Sequence, residues 1–141
     1  MTLPPPPRPT AEPPVLDASR PSVPLCTSDE LVHGGLAHVF DLLAHGQSAR
    51  GFVLRFGNRA VGYLNQCAHV PAEMDWQEGR FMDDTGQWII CAIHGAAYEP
   101  GTGLCIGGPC RGKRLQPLQI DEREGQVYWY PSEYLTPAFG D

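Results

Sequence analysis

Apolar and polar residues alternate along short segments of this chain, and turn-forming residues separate the segments. Within residues 51–65, Phe52, Leu54 and Phe56 fall on one face, and the alternation resumes after Gly57-Asn58. Glycine and asparagine tolerate the left-handed backbone of a tight turn, and a period of two is that of a half-buried strand. The pattern therefore predicts a β-hairpin over residues 51–65.

The remaining pattern predicts more elements of the same kind. A strand is indicated over residues 37–43, and further hairpins over 81–90 and 118–130, with turns at 83–86 and 124–125. No segment of a dozen residues shows the 3.6-residue apolar repeat of a helix packed on a core. We therefore predict an all-β fold, an antiparallel sandwich or barrel with functional loops at the tips of its hairpins.

Proline content divides the chain into an arm and a folded part. The first 24 residues hold nine of the 15 prolines and no aromatic residue. Proline at that density disrupts helices and sheet ladders, so residues 1–24 are predicted to be a disordered arm, either a solvated tail or a docking segment. We expect one folded domain over residues 25–130 and a loosely packed tail over residues 131–141.

Composition excludes several classes of function. The net charge of −6 argues against a nucleic-acid binder, which would need a basic face. No apolar run approaches the ~18 residues of a membrane-spanning helix, and the N-terminus shows no export signal. We therefore expect a cytoplasmic protein. Cysteines usually stay reduced in the cytoplasm, so the five cysteines are interpreted as metal ligands and thiols.

Two short motifs combine the side chains that bind borderline metal ions. Cys67-x-His69 and Cys91-x-x-His94 are separated by 21 residues, and each supplies one sulfur and one nitrogen. A structural zinc site usually pairs cysteine with cysteine and histidine with histidine. The mixed order suits two metal atoms better than one, although a single Zn²⁺ held by the same four side chains stays an alternative.

The two motifs resemble the binding motif of Rieske [2Fe–2S] proteins, and the resemblance covers roughly residues 25–130. It implies one [2Fe–2S] cluster, with Cys67 and Cys91 on the inner iron and His69 and His94 on the outer, more exposed iron. It also implies two cluster-binding loops at one end of two antiparallel sheets. The residues predicted to surround the cluster are Gly95, Tyr98, and Gly108 with Pro109 in a lid loop.

Departures from the pattern of the Rieske proteins in cytochrome bc complexes indicate which branch of the family this chain resembles. Rieske proteins of those complexes carry two disulfide-forming cysteines where this chain has Ala72 and Ile93, and a serine where it has Ala96. That serine donates a hydrogen bond to a cluster sulfur. The chain is thus similar to the ferredoxin type, with an expected potential in the lower part of about −150 to +300 mV.

The function implied by this resemblance is one-electron transfer. We expect electrons to pass from a flavoprotein reductase to a terminal oxygenase or similar acceptor. A small Rieske subunit of a larger oxidoreductase is the alternative. No pairing of a nucleophile with a base is evident, so the chain is interpreted as a carrier and not as an enzyme by itself. From other classes, a zinc-stabilised interaction module and a regulatory sensor stay open.

Three further groups of residues could be mistaken for sites. Glu30, His33 and His38 have a spacing that can occur around a mononuclear iron, but we interpret His33, His38 and His45 as surface or edge residues. The two cysteines flanking the lid loop, Cys105 and Cys110, are predicted to be thiols, with a redox-sensitive disulfide or an adventitious metal as the alternatives. The basic residues Arg111, Lys113 and Arg114 are either a rim beside the cluster or an ordinary solvated run.

Overall fold

The computed structural model describes residues 22–67, 73–75, 77–91, 95–108 and 112–138. Within these ranges the chain forms ten β-strands and a short 3-10 turn, Ser28–Glu30. The strands are β1 (Val23–Thr27), β2 (His38–Ala44), β3 (Gln47–Phe56), β4 (Arg59–Leu64), β5 (Ile89–Ile90), β6 (Ala97–Tyr98), β7 (Cys105–Gly107), β8 (Pro117–Arg123), β9 (Gln126–Tyr130) and β10 (Leu135–Pro137). The predicted all-β fold is confirmed.

The strands make two antiparallel sheets of unequal size. Seven strands are ordered β1-β9-β8-β4-β3-β2-β10, and three short strands are ordered β5-β6-β7. Because β1 also contacts β2, the larger sheet curves until it nearly closes into a barrel. The small sheet is inserted in sequence between β4 and β8, and it belongs to the region that carries both candidate ligand motifs.

Two of the predicted hairpins occur as expected, and the third is reduced. β3 pairs with β4 around the turn at 57–58, and β8 pairs with β9 around the turn at 124–125. Over residues 81–90 the ladder consists of little more than a bridge between Met82 and Ile89. Here Phe81 is buried and stacks on Phe52, with ring centroids 3.8 Å apart. The segment is therefore held by packing as much as by strand pairing.

The two ends of the chain compare differently with the prediction. Strand β2 covers most of the strand predicted over residues 37–43. In the predicted C-terminal tail, β10 pairs with β2, and Leu135 is buried. That part of the tail is an edge strand and not loosely packed. Residues 1–21 lie outside the described residues, so the disordered arm stays a prediction.

One apolar core joins the small sheet to one face of the larger sheet. Phe52 and Leu54 of β3 pack in the same cluster as Tyr98 and Cys105 of the small sheet. The intervening Val53 points to a separate cluster with Cys26 and Val127, which explains why β3 is buried on both faces. Burial on both faces fixes the register of β3, because a slip of one residue would exchange its two faces.

Among the described residues, no helix has the length and apolar character that crossing a membrane requires.

Candidate metal centre

The two motif cysteines converge on the shared core. Cys67 lies three residues beyond the end of β4, and Cys91 directly follows β5. Both belong to the same apolar cluster, and their exposed fractions are 3% and 0%. His69, His94 and Pro109 lie outside the described residues, so their part in the site stays a prediction. Both candidate sulfur ligands thus lie in one buried core cluster.

The second ligand motif is closed by two backbone hydrogen bonds. The Cys91 N–H donates to the Ala96 carbonyl at 2.8 Å, and the Gly95 N–H donates to the Cys91 carbonyl at 2.9 Å. Gly95 has φ +73°, and a Cβ there would meet nothing within 4 Å. Glycine is therefore favoured at this position because the backbone of the turn is left-handed. The described atoms around it would leave room for a side chain.

Gly108 brings the lid loop against the second ligand motif. Its φ is +93°, and a Cβ on it would lie 2.9 Å from the Cα of Ala96. Any larger residue would push the two backbones apart. The predicted cluster-shell residues Gly95 and Gly108 consequently lie at the same end of the small sheet, beside Cys91.

Tyr98 reaches from the second motif to the first. It is fully buried in β6, and its hydroxyl lies 3.3 Å from the Sγ of Cys67. A hydroxyl donating to a thiolate stabilises negative charge on the sulfur. Tyr98, one of the residues predicted to surround a cluster, therefore contacts the sulfur atom of a described candidate ligand.

A buried amide at the base of the first motif was not predicted from the sequence. Asn65 directly follows β4 and is 4% exposed. Its side chain accepts a hydrogen bond from the Met74 N–H at 2.9 Å and donates one to Asp75 at 2.8 Å. The only signal in the sequence is an asparagine between an apolar strand and a candidate ligand, which by itself indicates no partner.

The alternative iron ligands are not brought together. Glu30 accepts hydrogen bonds from Thr27, and His33 accepts one from the Gly57 N–H at 2.8 Å. His38 stacks beside Phe40 on β2. Within the described parts of the chain, no group of three or more Cys, His, Asp or Glu side chains could hold a metal ion. His33 and His45 are exposed, and His38 is half-buried.

The thiol predicted at Cys105 is wrong, because this residue is disulfide-bonded. The other cysteine flanking the lid loop, Cys110, lies outside the described residues. Cys105 itself is buried in the core, with an exposed fraction of 2%. The compartment argument alone could not anticipate this bond, because disulfide formation depends on local geometry as well as on the redox environment.

The donor set and its surroundings fit an iron–sulfur cluster. Two buried cysteine sulfurs, a hydroxyl 3.3 Å from one of them, and two glycines with positive φ belong to the same region of the fold. Cysteine thiolates are the usual protein ligands of such clusters, and hydrogen bonds to their sulfurs tune the potential.

Comparison of the sequence with protein families identifies the class of protein. Residues 22–131 match the family model of the Rieske [2Fe-2S] domain. The chain belongs to this family, so the resemblance seen in the motifs is confirmed, and so is the expectation of one [2Fe–2S] cluster. A comparison with curated proteins gave no match.

Solved structures show the same fold. The ferredoxin of carbazole 1,9a-dioxygenase from Nocardioides aromaticivorans IC177 is 22% identical, with a TM-score of 0.62, over 79% of this chain and 98% of the ferredoxin. A chain in a complex of reduced oxygenase and oxidised ferredoxin of carbazole 1,9a-dioxygenase is 24% identical, with a TM-score of 0.59, over 77% of this chain and 92% of the other.

Longer chains also match. In the reduced complex between oxygenase and ferredoxin of carbazole 1,9a-dioxygenase, a chain is 18% identical with a TM-score of 0.59. The match covers 77% of this chain but only 28% of that longer chain. These likenesses confirm the predicted architecture.

Proposed function

We propose that this protein is a one-electron carrier whose Rieske-type cluster is ligated by Cys67, His69, Cys91 and His94. The observation that carries the proposal is the convergence of the two motif cysteines in one buried core, with the Tyr98 hydroxyl 3.3 Å from the Cys67 sulfur. His69 and His94 complete the set by their position in the motifs.

Bound there, a [2Fe–2S] cluster with two imidazole ligands takes up and releases single electrons at about −150 to +300 mV. Burial of Cys67 and Cys91 keeps water from both thiolates. With Cys67 bound as a thiolate, the Tyr98 hydroxyl would be the donor of their 3.3 Å contact and would stabilise the negative charge that reduction adds. Ala96 has no hydroxyl to add a second such bond, which supports a potential in the lower part of that range.

The partners follow from the kind of protein whose fold this chain shares. Ferredoxins of carbazole 1,9a-dioxygenase form complexes with an oxygenase. We infer that this chain takes electrons from a flavoprotein reductase and delivers them to an oxygenase or similar acceptor. A role as a small Rieske subunit of a larger oxidoreductase is the second form of this proposal. A cytoplasmic location stays a prediction.

Metal analysis of anaerobically purified protein tests the cluster. We expect about two irons and two acid-labile sulfides per chain, and a visible spectrum bleached by dithionite. Alanine at Cys67, His69, Cys91 or His94 should abolish that spectrum. Cys26→Ala is the matched control, because Cys26 is a buried thiol in a different core cluster.

Two results would contradict the proposal. A colourless protein containing a single zinc would make it a structural metal site. A wild-type spectrum retained in Cys67→Ala or Cys91→Ala would mean that the cluster has other ligands.

A further inference from the structure

Asn65 is the one buried polar or charged side chain among the described residues. It stands at the end of β4, two residues before Cys67, and its N–H continues the ladder by donating to the Arg50 carbonyl at 2.8 Å. Burying an amide is costly unless its polar atoms are hydrogen-bonded, so the contacts of this side chain define what it does.

The amide of Asn65 joins the two ends of the first ligand loop, residues 65–75. Its oxygen accepts the Met74 N–H at 2.9 Å, and its nitrogen donates to Asp75 Oδ1 at 2.8 Å. The other oxygen of Asp75 accepts the Gly79 N–H at 3.0 Å. The Asn65 side chain, at the start of the loop, thus fixes Met74 and Asp75 at its far end. Asp75 in turn links the loop to the following turn at Gly79.

The far end of the loop is anchored in the core as well. The Met74 side chain is fully buried in the cluster that contains Cys67 and Cys91. If Asn65 were lost, the Met74 N–H would lose its partner in a buried place, which penalises the native path of the loop. The loop could relieve this cost only by moving Met74, and that movement would disturb the core packing around Cys67.

We propose that Asn65 is a positioning residue that fixes the first ligand loop and thereby governs how tightly the chain retains its cluster. This inference rests on the proposed function, because it assumes that Cys67 and His69 of this loop are cluster ligands. Asn65 acts through the loop, by its hydrogen bonds to Met74 and Asp75.

The donor and acceptor pattern makes the identity of the side chain matter. Asn65 both accepts from a backbone N–H and donates to a carboxylate, and a carboxylate can only accept. In Asn65→Asp, two carboxylates would face each other where a 2.8 Å hydrogen bond now lies. In the exchanged pair Asn65→Asp with Asp75→Asn, the amide of residue 75 donates back to residue 65, and its oxygen still accepts the Gly79 N–H.

The test compares wild type, Asn65→Asp and the exchanged double variant as purified holoproteins. Three quantities are measured: the rate of cluster bleaching under a chelator, the linewidth of the electron paramagnetic resonance signal of the reduced cluster, and the hydrogen-exchange protection of the Met74 amide. We expect Asn65→Asp to lose its cluster about tenfold faster, with a broader signal and an unprotected Met74 amide. The double variant should return to within about twofold of wild type in bleaching rate.

Gln126→Ala is the matched control. Gln126 donates its side-chain amide to the Cys26 carbonyl at 2.8 Å, away from both ligand motifs. Its loss should lower the unfolding temperature without changing the bleaching rate or the linewidth. A general loss of stability would instead move all variants together.

The outcomes separate this inference from the proposed function. An Asn65→Asp protein that keeps wild-type bleaching and linewidth, or a double variant no better than the single one, overturns the positioning role alone. A wild-type chain that binds no two-iron cluster overturns the proposed function, and the role of Asn65 towards the cluster falls with it. In that case the Met74 amide reports only whether Asn65 fixes the loop.

Discussion

At the scale of single residues, Tyr98 is the side chain with the clearest expected effect on electron transfer. Its hydroxyl lies 3.3 Å from the Sγ of Cys67, and both side chains are buried in the core. A hydrogen bond to a ligand sulfur favours the reduced state, because reduction places more negative charge on the sulfur.

Tyr98→Phe should therefore lower the reduction potential. One hydrogen bond contributes about 1 kcal/mol, which corresponds to roughly 40 mV for a one-electron couple. Redox titration followed by visible absorbance measures the change. Tyr130→Phe is the control, because Tyr130 is equally buried but its hydroxyl lies near Asp121 and Arg123. Equal potentials in wild type and Tyr98→Phe would show that this hydroxyl does not influence the cluster.

The role of a residue could be predicted from the sequence where that role depends on residues nearby in the chain. Cysteine and histidine a few residues apart indicate candidate ligands whatever the fold, and Cys67 and Cys91 both belong to one core cluster. The roles of Asn65 and Cys105 depend on partners that only the folded loops bring near. The sequence does not distinguish a buried asparagine from an exposed one, or a disulfide-bonded cysteine from a free thiol.

At the scale of elements, Arg55 links β3 to β8 and to the 3-10 turn. From β3 it makes two hydrogen bonds to the carboxylate of Glu122 on β8, at 2.8 and 2.7 Å. The same guanidinium donates to the carbonyls of Ser28 and Leu31, in and beside the 3-10 turn. The side chains of the pair are only 13% and 27% exposed, so water screens the interaction weakly.

This ion pair predicts a loss of stability in acid. The hydrogen bonds from Arg55 hold the pKa of Glu122 below its ordinary value. The unfolded chain therefore binds this proton at a higher pH than the folded chain does. The stabilisation is complete above the ordinary carboxyl pKa and is lost as the pH falls through the lowered pKa of the folded state.

Glu122→Gln should cost about 2 kcal/mol of unfolding free energy at neutral pH, because the guanidinium loses its charged partner. The difference between wild type and Glu122→Gln should shrink as the pH falls below the ordinary carboxyl range. Urea unfolding at a series of pH values measures both effects. A difference that stays constant with pH would show that Glu122 has no lowered pKa.

Elements could be predicted where a turn lies between two alternating segments, as in the β3–β4 and β8–β9 hairpins. Short strands were harder to predict. The three residues of β10 include Pro137, and their pairing with β2 comes from a segment about 90 residues earlier in the chain. No local periodicity can indicate a pairing over that separation.

At the scale of the whole molecule, Tyr63 fastens the small sheet to the larger one. Its hydroxyl donates to the Pro100 carbonyl at 2.6 Å, in the turn between β6 and β7. A Cβ on Gly103 would lie 2.7 Å from the Tyr63 ring, so the turn packs directly on that ring. Tyr63 therefore attaches the small sheet, in the region that carries the candidate ligand motifs, to β4.

Tyr63→Phe should lower the unfolding temperature by roughly 4 °C, because the buried Pro100 carbonyl loses its donor at a cost of about 1 kcal/mol. Calorimetry measures this shift. Tyr134→Phe removes a hydroxyl from a side chain that is 57% exposed and should have no effect. Equal shifts for both variants would contradict the proposed attachment.

The disulfide of Cys105 has a consequence for how the protein matures. Cys105 shares its core cluster with Cys67 and Cys91, so under the proposed ligand set two thiolate sulfurs and one disulfide sulfur lie in the same core. Thiolates attack disulfides, and an oxidant that reaches the nascent chain can join the wrong partners. Biogenesis should therefore have an order, in which iron is loaded onto the reduced polypeptide before its last cysteines are oxidised.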